Sequence, residues 1–502
     1  MSRISRASLI IAFFFGLDKI FGLIRQVLFS HRFGTDLDIF LTSNNIPDLL
    51  SALISGGALG IALIPVLSEY LEKDGRQATW ALFTRIVNLA FIVTAAIAAV
   101  IIILAEPLVK IIIAPGFEPA KQALTAELMR LDLLAILIFS ISGLVMAGLQ
   151  ANQHFLLPAM APGLYNLGQI FGVLVLAPEK GLQIGPVTLP AFGMGLHGLV
   201  WGVILGAILH LAIQIPGLIH YQFRWAPVVG LRHPGVQKVL LLMGPRVLTM
   251  LCLHIYFLAR DNLASRLGEG AVTALNYGWF IQQVPETLIG TAIAIALLPT
   301  LSEQLVRLKP DDFRQTANRA LRAMLALTLP IAALLIVSIR PLVSIFGLED
   351  ITEWLVWATR LFLLGLIGHA WLEVAVRSFY AQQDALTPLK AAVGQITAYL
   401  LLAILLSKTM GPPGLSLADS LTFTGQALVL LFILNRRFPG VLEVKETLAR
   451  AALGAVCGAL LALGLLQYVP FPAFPLAVGA LVAGGLVALP FIWPEVKSLV
   501  KL

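Results

Sequence analysis

Long apolar stretches alternate with short polar breaks so regularly along this chain that the pattern alone predicts its elements. Apolar windows of helix-spanning length fall at 7–29, 38–69, 77–105, 122–150, 158–178, 193–216, 237–265, 271–301, 316–339, 352–379, 386–407, 414–435, 449–468 and 474–493. A helix needs about 20 mostly apolar residues to cross a hydrocarbon core of about 30 Å. The first window follows Arg3 and Arg6 much as a signal-peptide core would. Asp18, Lys19 and Arg25 interrupt it, however, and no small-residue cleavage site follows, so it reads as a retained helix. The expected fold class is an all-α polytopic membrane protein of about fourteen transmembrane helices.

The pattern also repeats. "ALGIALIPVLSEYL" (58–71) returns as "AIAIALLPTLSEQL" (292–305), "QANQHFLLPA" (150–159) as "YAQQDALTPL" (380–389), and "RQVLFSHRFG" (25–34) as "RDNLASRLG" (260–268). An even number of windows separates the paired segments, which makes the repeat parallel. The expected organisation is a six-helix lobe over 1–222, a second over 223–440, and two additional helices over 441–502. Paired bundles of this kind hold a substrate in the cleft between them and rock around it. The architecture therefore points to a transporter, without specifying its cargo.

Composition supports the class. A hydrophobic fraction of 59% with only 12% charged residues excludes a soluble globule. Basic residues such as Lys73, Arg76, Arg224, Lys238, Arg314, Arg436 and Arg450 collect in alternate loops, which by the positive-inside rule places both termini in the cytoplasm. The net charge of +7 is thus a topology signal with weak attraction to anionic lipid, and it calls for no nucleic-acid partner. Cys252 and Cys457 both lie inside apolar windows, so neither a disulfide framework nor a metal cluster is expected. The longest polar stretches, 217–237, 302–315 and 436–448, are too short for a catalytic domain. With no nucleotide-binding loop or catalytic constellation, no enzyme activity, ATP site or cofactor is called for.

Charge inside the membrane is the candidate chemistry, because an ionised side chain near the bilayer centre costs about 2.5–3.5 kcal/mol on insertion scales. The first window carries Asp18, Lys19 and Arg25, the second Asp38 and Asp48, and the seventh Arg246, His254, Arg260 and Asp261. Asp18 and Arg25, seven apart, share a helix face about 10 Å along the axis, and His254 and Asp261 repeat the spacing. Two readings stand. The pseudo-equivalent Arg25 and Arg260 could line a cationic cleft for a pyrophosphate, with Asp38 and Asp48 as partners or ion relay. Alternatively, these groups sit near helix ends, snorkel and form structural ion pairs. Glu127, Arg130 and Asp132 read as an interfacial ion-pair cluster, and Glu373 with Arg377 as a local i,i+4 pair. His254, Asp261 and Asp18 are the candidates for coupling to an ion gradient.

Several longer strings carry a resemblance: "APGF" (114–117), "GLQANQHFLLPAMAPGLYN" (148–166), "GLHGLVWGVILGAILHLAIQIPGL" (195–218), "ALNYGWFIQQVP" (274–285), "LLPTLSE" (297–303) and "FYAQQDALTPLKAA" (379–392). Together they are similar to the MurJ (MviN) family of bacterial lipid II flippases, within the multidrug/oligosaccharidyl-lipid/polysaccharide exporter superfamily. The resemblance implies fourteen helices, a cationic cavity for the diphosphate and sugars of lipid II, and a groove for the polyprenyl tail on the last two helices. That pair carries no charge between Ala451 and Pro490. It also implies inward-to-outward movement across the bacterial cytoplasmic membrane by alternating access, with lipid II or a related polyprenyl-diphosphate-linked glycan and membrane lipids as partners. A monomer is the expectation, although the sequence does not determine oligomeric state. The family's helix-1 arginine pair falls on Lys19 and Arg25, its helix-2 arginine on Ser51 and its helix-8 arginine on Phe280, so two cations are replaced. Arg260 stands where some relatives carry an acid linked to sodium binding, and the eleventh window has no acid. The resemblance thus implies no sodium site here and a substitute cation at Arg260. These departures leave open another lipid-linked glycan, a transport-inactive scaffold or, less well supported by the cations, a drug exporter.

Overall fold

The computed structural model describes residues 3–54 and 58–499. The helices of the first half are α1 (Arg3–Phe33), α2 (Leu37–Ser43), α3 (Asn45–Ile54), α4 (Ala58–Lys73), α5 (Gly75–Leu108), α6 (Pro119–Ala151), α7 (Leu156–Phe171), α8 (Leu196–Ala212), α9 (Ile215–His220) and α10 (Pro234–Ala264). Those of the second are α11 (Ala271–Pro285), α12 (Ala292–Val306), α13 (Pro310–Val343), α14 (Thr352–Leu364), α15 (Leu366–Ala381), α16 (Leu386–Met410), α17 (Pro412–Arg437), α18 (Lys445–Tyr468) and α19 (Ala473–Leu499). A two-residue antiparallel hairpin, Gln183–Ile184 with Val187–Thr188, decorates the link before α8.

Each apolar window coincides with helix. Among the described residues, nine helices are long and apolar enough to cross a membrane, or ten if the pair 349–364 and 366–381, bent by 41°, counts as one span. The first, second, seventh and eighth windows, which contain residues outside the described ones or side chains that are not described, are not among them. The second is broken at Asn44, between α2 and α3 and just before Pro47; residues 55–57 of that window lie outside the described residues. The eighth is interrupted by a π-turn, Glu286–Thr291, immediately after Pro285. Proline cannot donate to the helical ladder and crowds the preceding turn, and π-bulges gather at functional positions.

Contacts divide the chain into two compact units, Met1–Arg266 and Leu267–Leu502. The division falls after α10, which packs on α3 and α4. Helices α18 and α19 pack on each other and on α13, inside the second unit. The start of α18 and the end of α19 are clamped by buried Glu495, which accepts hydrogen bonds from Arg322, Arg450 and Thr447.

The repeat survives at atomic detail. Gln153 and Gln383 both take φ 60°, rare for a non-glycine residue. The next amides then donate back to Leu149 and Phe379 carbonyls at 2.9 and 3.0 Å. Arg130 Nε donates to Ile102 O, and Arg360 Nε to Ile336 O, each at 3.1 Å. Asn88 and Asn318 each hold two carbonyls of the chain returning beneath their own unit.

In the first unit α7 and α8 cross at van der Waals range through glycines. A Cβ on Gly168 would sit 2.4 Å from the Gly206 backbone, and one on Gly172 would sit 2.7 Å from Gly198 O. Small residues permit this approach where lipid supplies no hydrophobic drive between helices. The crossing fixes α7, and α7 in turn presents the polar residues described next to α1.

Candidate functional site

Arg25 is the centre of the arrangement in the first unit. Helix α1 lies along α7, and Arg25 Nη1 donates to Asn166 Oδ1 at 2.9 Å while Asn166 Nδ2 donates to Asp18 Oδ1 at 2.8 Å. Asp18 and Arg25 therefore do share a face, joined through an amide on the neighbouring helix. The Arg25 guanidinium lies 5.8 Å from the Phe29 ring centroid. Its Nε is buried with no hydrogen-bond partner. A guanidinium offers five N–H donors. With Asn166 on Nη1 as its one hydrogen-bond partner among the described residues, Arg25 keeps donor capacity for an anion. Lys19, beside Asp18, is exposed.

Next to this triad a cavity of about 250 Å³ is lined by Asn44, Asp48, Ser51, Asp132, Tyr165 and His210, from five helices or helix breaks. The α2–α3 break places Asn44, and α3 places Asp48 and Ser51 one turn apart on one face. Asp132 is 3% exposed, and its Oδ1 has no hydrogen-bond partner. This corrects the expected Glu127–Arg130–Asp132 cluster, which does not form. Arg130 reaches Glu106, Glu127 pairs with His197 at 3.1 Å, and Asp132 points the other way into the cavity. The reason is helical: two residues on from Arg130 is a rotation of about 200°. His210 is tied down, with Nδ1 at 2.6 Å from Ser142 Oγ and 3.3 Å from Gln214 Nε2.

The seventh-window residues lie differently from the cleft reading. Arg260 is 1% exposed, its Nε donating to Asp261 Oδ1 at 2.9 Å and its guanidinium 5.0 Å from the Phe257 ring centroid. Asp261 Oδ2 also accepts from Asn45 at 3.1 Å. In this conformation the expected substitute cation is buried and tied to Asp261, and presents no exposed face to a ligand. His254 Nδ1 lies 3.0 Å from the Met250 carbonyl one turn earlier and is half-buried. Asp38 is buried in the first turn of α2, where a carboxylate suits the helix dipole. Phe280 is half-buried on α11 in the second unit, and the side chain of Arg246 lies outside the described residues.

Sequence reasoning missed Asn166 and the inward turn of Asp132. Asn166 was visible as one of two amide side chains, with Gln169, in the mostly apolar α7, whereas nothing in the 127–132 string marked the direction in which Asp132 points.

The family model described as "Lipid II flippase MurJ" matches residues 29–482. The chain belongs to the MurJ family. It is 29% identical over 478 residues to the Lipid II flippase MurJ of Burkholderia cenocepacia, covering 92% of this chain and 89% of that one. It is 28% identical over 447 residues to the Probable lipid II flippase MurJ of Rhizobium tropici, covering 86% and 80%. Among solved structures, the inward closed conformation of a lipid II flippase MurJ superposes with a TM-score of 0.81 at 20% identity, covering 98% of this chain and all of that one. An inward-facing MATE multidrug transporter superposes at 0.73 with 14% identity, covering 85% of this chain and 96% of that one. Membership of the MurJ family makes the protein a multi-pass transporter of the bacterial inner membrane and not an enzyme.

Proposed function

We propose that this chain flips lipid II from the inner to the outer leaflet of the cytoplasmic membrane, with N- and C-termini inside. The observation that carries the reading is the MurJ family match across nearly the whole chain, joined to an intramembrane arginine held by one amide and with donors to spare. In this reading Arg25 takes the diphosphate as a fork, and Lys19 adds a point charge at the same level. Asn166 and Asp18 hold the guanidinium in place before the substrate arrives. Asn44, Asp48 and Ser51 offer a polar wall for the sugar hydroxyls, and the uncharged α18–α19 pair takes the polyprenyl tail. Asp38 keeps a structural part in α2, and the buried Arg260–Asp261 pair holds α10 to α3. Alternating access moves the head group.

A second reading, another polyprenyl-diphosphate-linked glycan, is favoured by Ser51 and Phe280 at positions of family arginines. Complementation of a flippase-depleted bacterium, followed by flipping of purified lipid II in proteoliposomes containing the full chain, tests both. Rescue with lipid II flipping supports the first reading. Failure with lipid II but transport of a different undecaprenyl-diphosphate glycan supports the second.

A further inference from the structure

The second unit contains a buried ionisable cluster that the substrate site does not use. On α15, His369, Glu373 and Arg377 follow one another at intervals of four and share a face. His369 Nε2 lies 3.0 Å from Asp419 Oδ2 on α17, and the His369 ring stacks on Phe423 with centroids 4.3 Å apart at 22°. The side chains of His369 and Asp419 are 10% and 0% exposed. Glu286, 7% exposed, opens the π-turn Glu286–Thr291 and accepts from Thr291 Oγ1 at 3.4 Å. That turn lies against α15 closely enough that a Cβ on Gly290 would meet Ala370 Cα at 3.3 Å and Glu286 Oε1 at 3.5 Å. Glu373 and Arg377 form an ion pair beside it.

A charge in a lipid-embedded bundle is costly, and intramembrane ionisable residues are retained chiefly on ion, proton or substrate paths. Three carboxylates, one imidazole and one guanidinium do not balance if the imidazole is neutral: three negative charges face one positive. Protonating His369 brings the cluster nearer neutrality while leaving its hydrogen bond to Asp419 in place. Imidazole is the side chain suited to such a change near neutral pH. The charged groups acting on His369 and Glu286 are Asp419 from α17, Glu286 from the π-turn, and Glu373 and Arg377 from α15. Charged residues of α12, α13 and α14, which also pack against α15 or α17, have partners of their own: Glu303 pairs with Arg307, Arg322 with Glu495, and Arg340 with Glu353. The π-turn is itself a break in regular helix, a feature that recurs at functional sites.

We propose that His369 and Asp419, with Glu286 alongside, form a proton-binding site whose loading and release accompany the transport cycle. The bound proton is the second one on the His369 ring, taken up to give an imidazolium that donates to the Asp419 carboxylate, and lost to restore the neutral ring. The coupling rests on the transport reading above. Proton binding itself does not.

Two measurements on the full chain separate the two claims. In nanodiscs of phosphatidylethanolamine and phosphatidylglycerol, with nitrogen-15-labelled histidine, the His369 resonance is identified by its loss in His369→Gln. The expected result is titration between about pH 5 and pH 8, with a midpoint moved by about one pH unit or more in Asp419→Asn. A ring that does not titrate in that window, or whose midpoint ignores Asp419→Asn, overturns the proposal whatever the transport data show. Should Asp419→Asn not fold, Glu286→Gln provides the same midpoint comparison.

In proteoliposomes with the membrane potential clamped, one unit of pH gradient is worth a factor of about ten to a carrier coupled to one proton. Lipid II flipping by the wild type should respond on that scale, and His369→Gln should still flip but with the gradient response reduced to under about twofold. An equal gradient response in His369→Gln would overturn the coupling. If His369 titrates as expected but lipid II is not moved even by the wild type, the substrate reading falls and the proton site stands.

Discussion

Asn166→Ala should weaken lipid II binding less than Arg25→Ala, and the two losses should not add. Among the described residues, Arg25 and Asp18 are joined through the Asn166 amide, with ties of 2.9 and 2.8 Å. Hydrogen bonds to charged groups are worth about 1.5–3 kcal/mol in aqueous proteins. Interhelical ones measured in a membrane average about 0.6 kcal/mol and reach about 1.7. Removing the amide should therefore cost Arg25 its orientation at roughly 1 kcal/mol, about a fivefold loss of affinity. Removing the guanidinium takes away the charge-assisted bonds to the diphosphate themselves, roughly 10- to 100-fold.

Fluorescent lipid II titrated into the purified full chain in nanodiscs reads both effects, with size-exclusion profiles as the control for folding. The double variant should bind no worse than Arg25→Ala, since Asn166 has nothing left to position. Full affinity in a well-folded Arg25→Ala protein would refute the placement of the diphosphate. Strictly additive losses would instead show Asn166 touching the substrate independently of Arg25.

Four further outcomes follow from particular contacts. Arg260→Leu strands buried Asp261, so it should lower stability by about 3–5 kcal/mol while Arg260→Leu combined with Asp261→Leu costs clearly less, read by thermal unfolding in detergent; equal losses would place the cost elsewhere. Gly168→Ala should cost about 1–3 kcal/mol, because its Cβ meets backbone at 2.4 Å and only separation of α7 from α8 relieves it; an unchanged unfolding temperature would refute the crossing. Burial raises the Asp384 carboxyl, but hydrogen bonds from the Thr387 hydroxyl and amide and from Arg437 hold it down at about 2, against an ordinary 3.8. Its contribution is therefore present above 3.8 and lost as pH falls through about 2, and Asp384→Asn should flatten that part of the acid unfolding profile. Replacing sodium by potassium at fixed potential should change lipid II flipping little, because a guanidinium fills the α10 position and repels a nearby cation; a steep loss would reveal a sodium site elsewhere.

The helices were legible because lipid imposes one rule on every span: backbone polar groups must be satisfied internally and the exterior must be apolar. The repeat was equally legible, since "QANQHFLLPA" and "YAQQDALTPL" encode the same turn with a glutamine at φ 60° in each half. Local spacing also carried real geometry. Asp18 and Arg25, seven apart, do share a face, and Glu373 and Arg377 do pair. Spacing failed wherever the partner lies on another helix. Arg260 matched Arg25 in the repeat, yet Arg260 is tied to the buried Asp261, itself held by Asn45 from α3, while Arg25 is held by the Asn166 amide and lies over the Phe29 ring.

The cluster of Glu286, His369 and Asp419 is the extreme case, because its three members sit on separate elements. What locates them together is backbone approach. Gly290 lets the π-turn close on α15, and Gly365 and Gly368 let α15 close on α17, where a Cβ would meet Ser420 and Thr424 side chains at 2.5 and 2.2 Å. In a bundle whose outer surface is all alike, small residues decide which helices touch, and the touching helices decide which charges meet. The informative sequence signal for such a site is therefore the glycine that faces a neighbouring helix, read together with the lone ionisable residue one turn away.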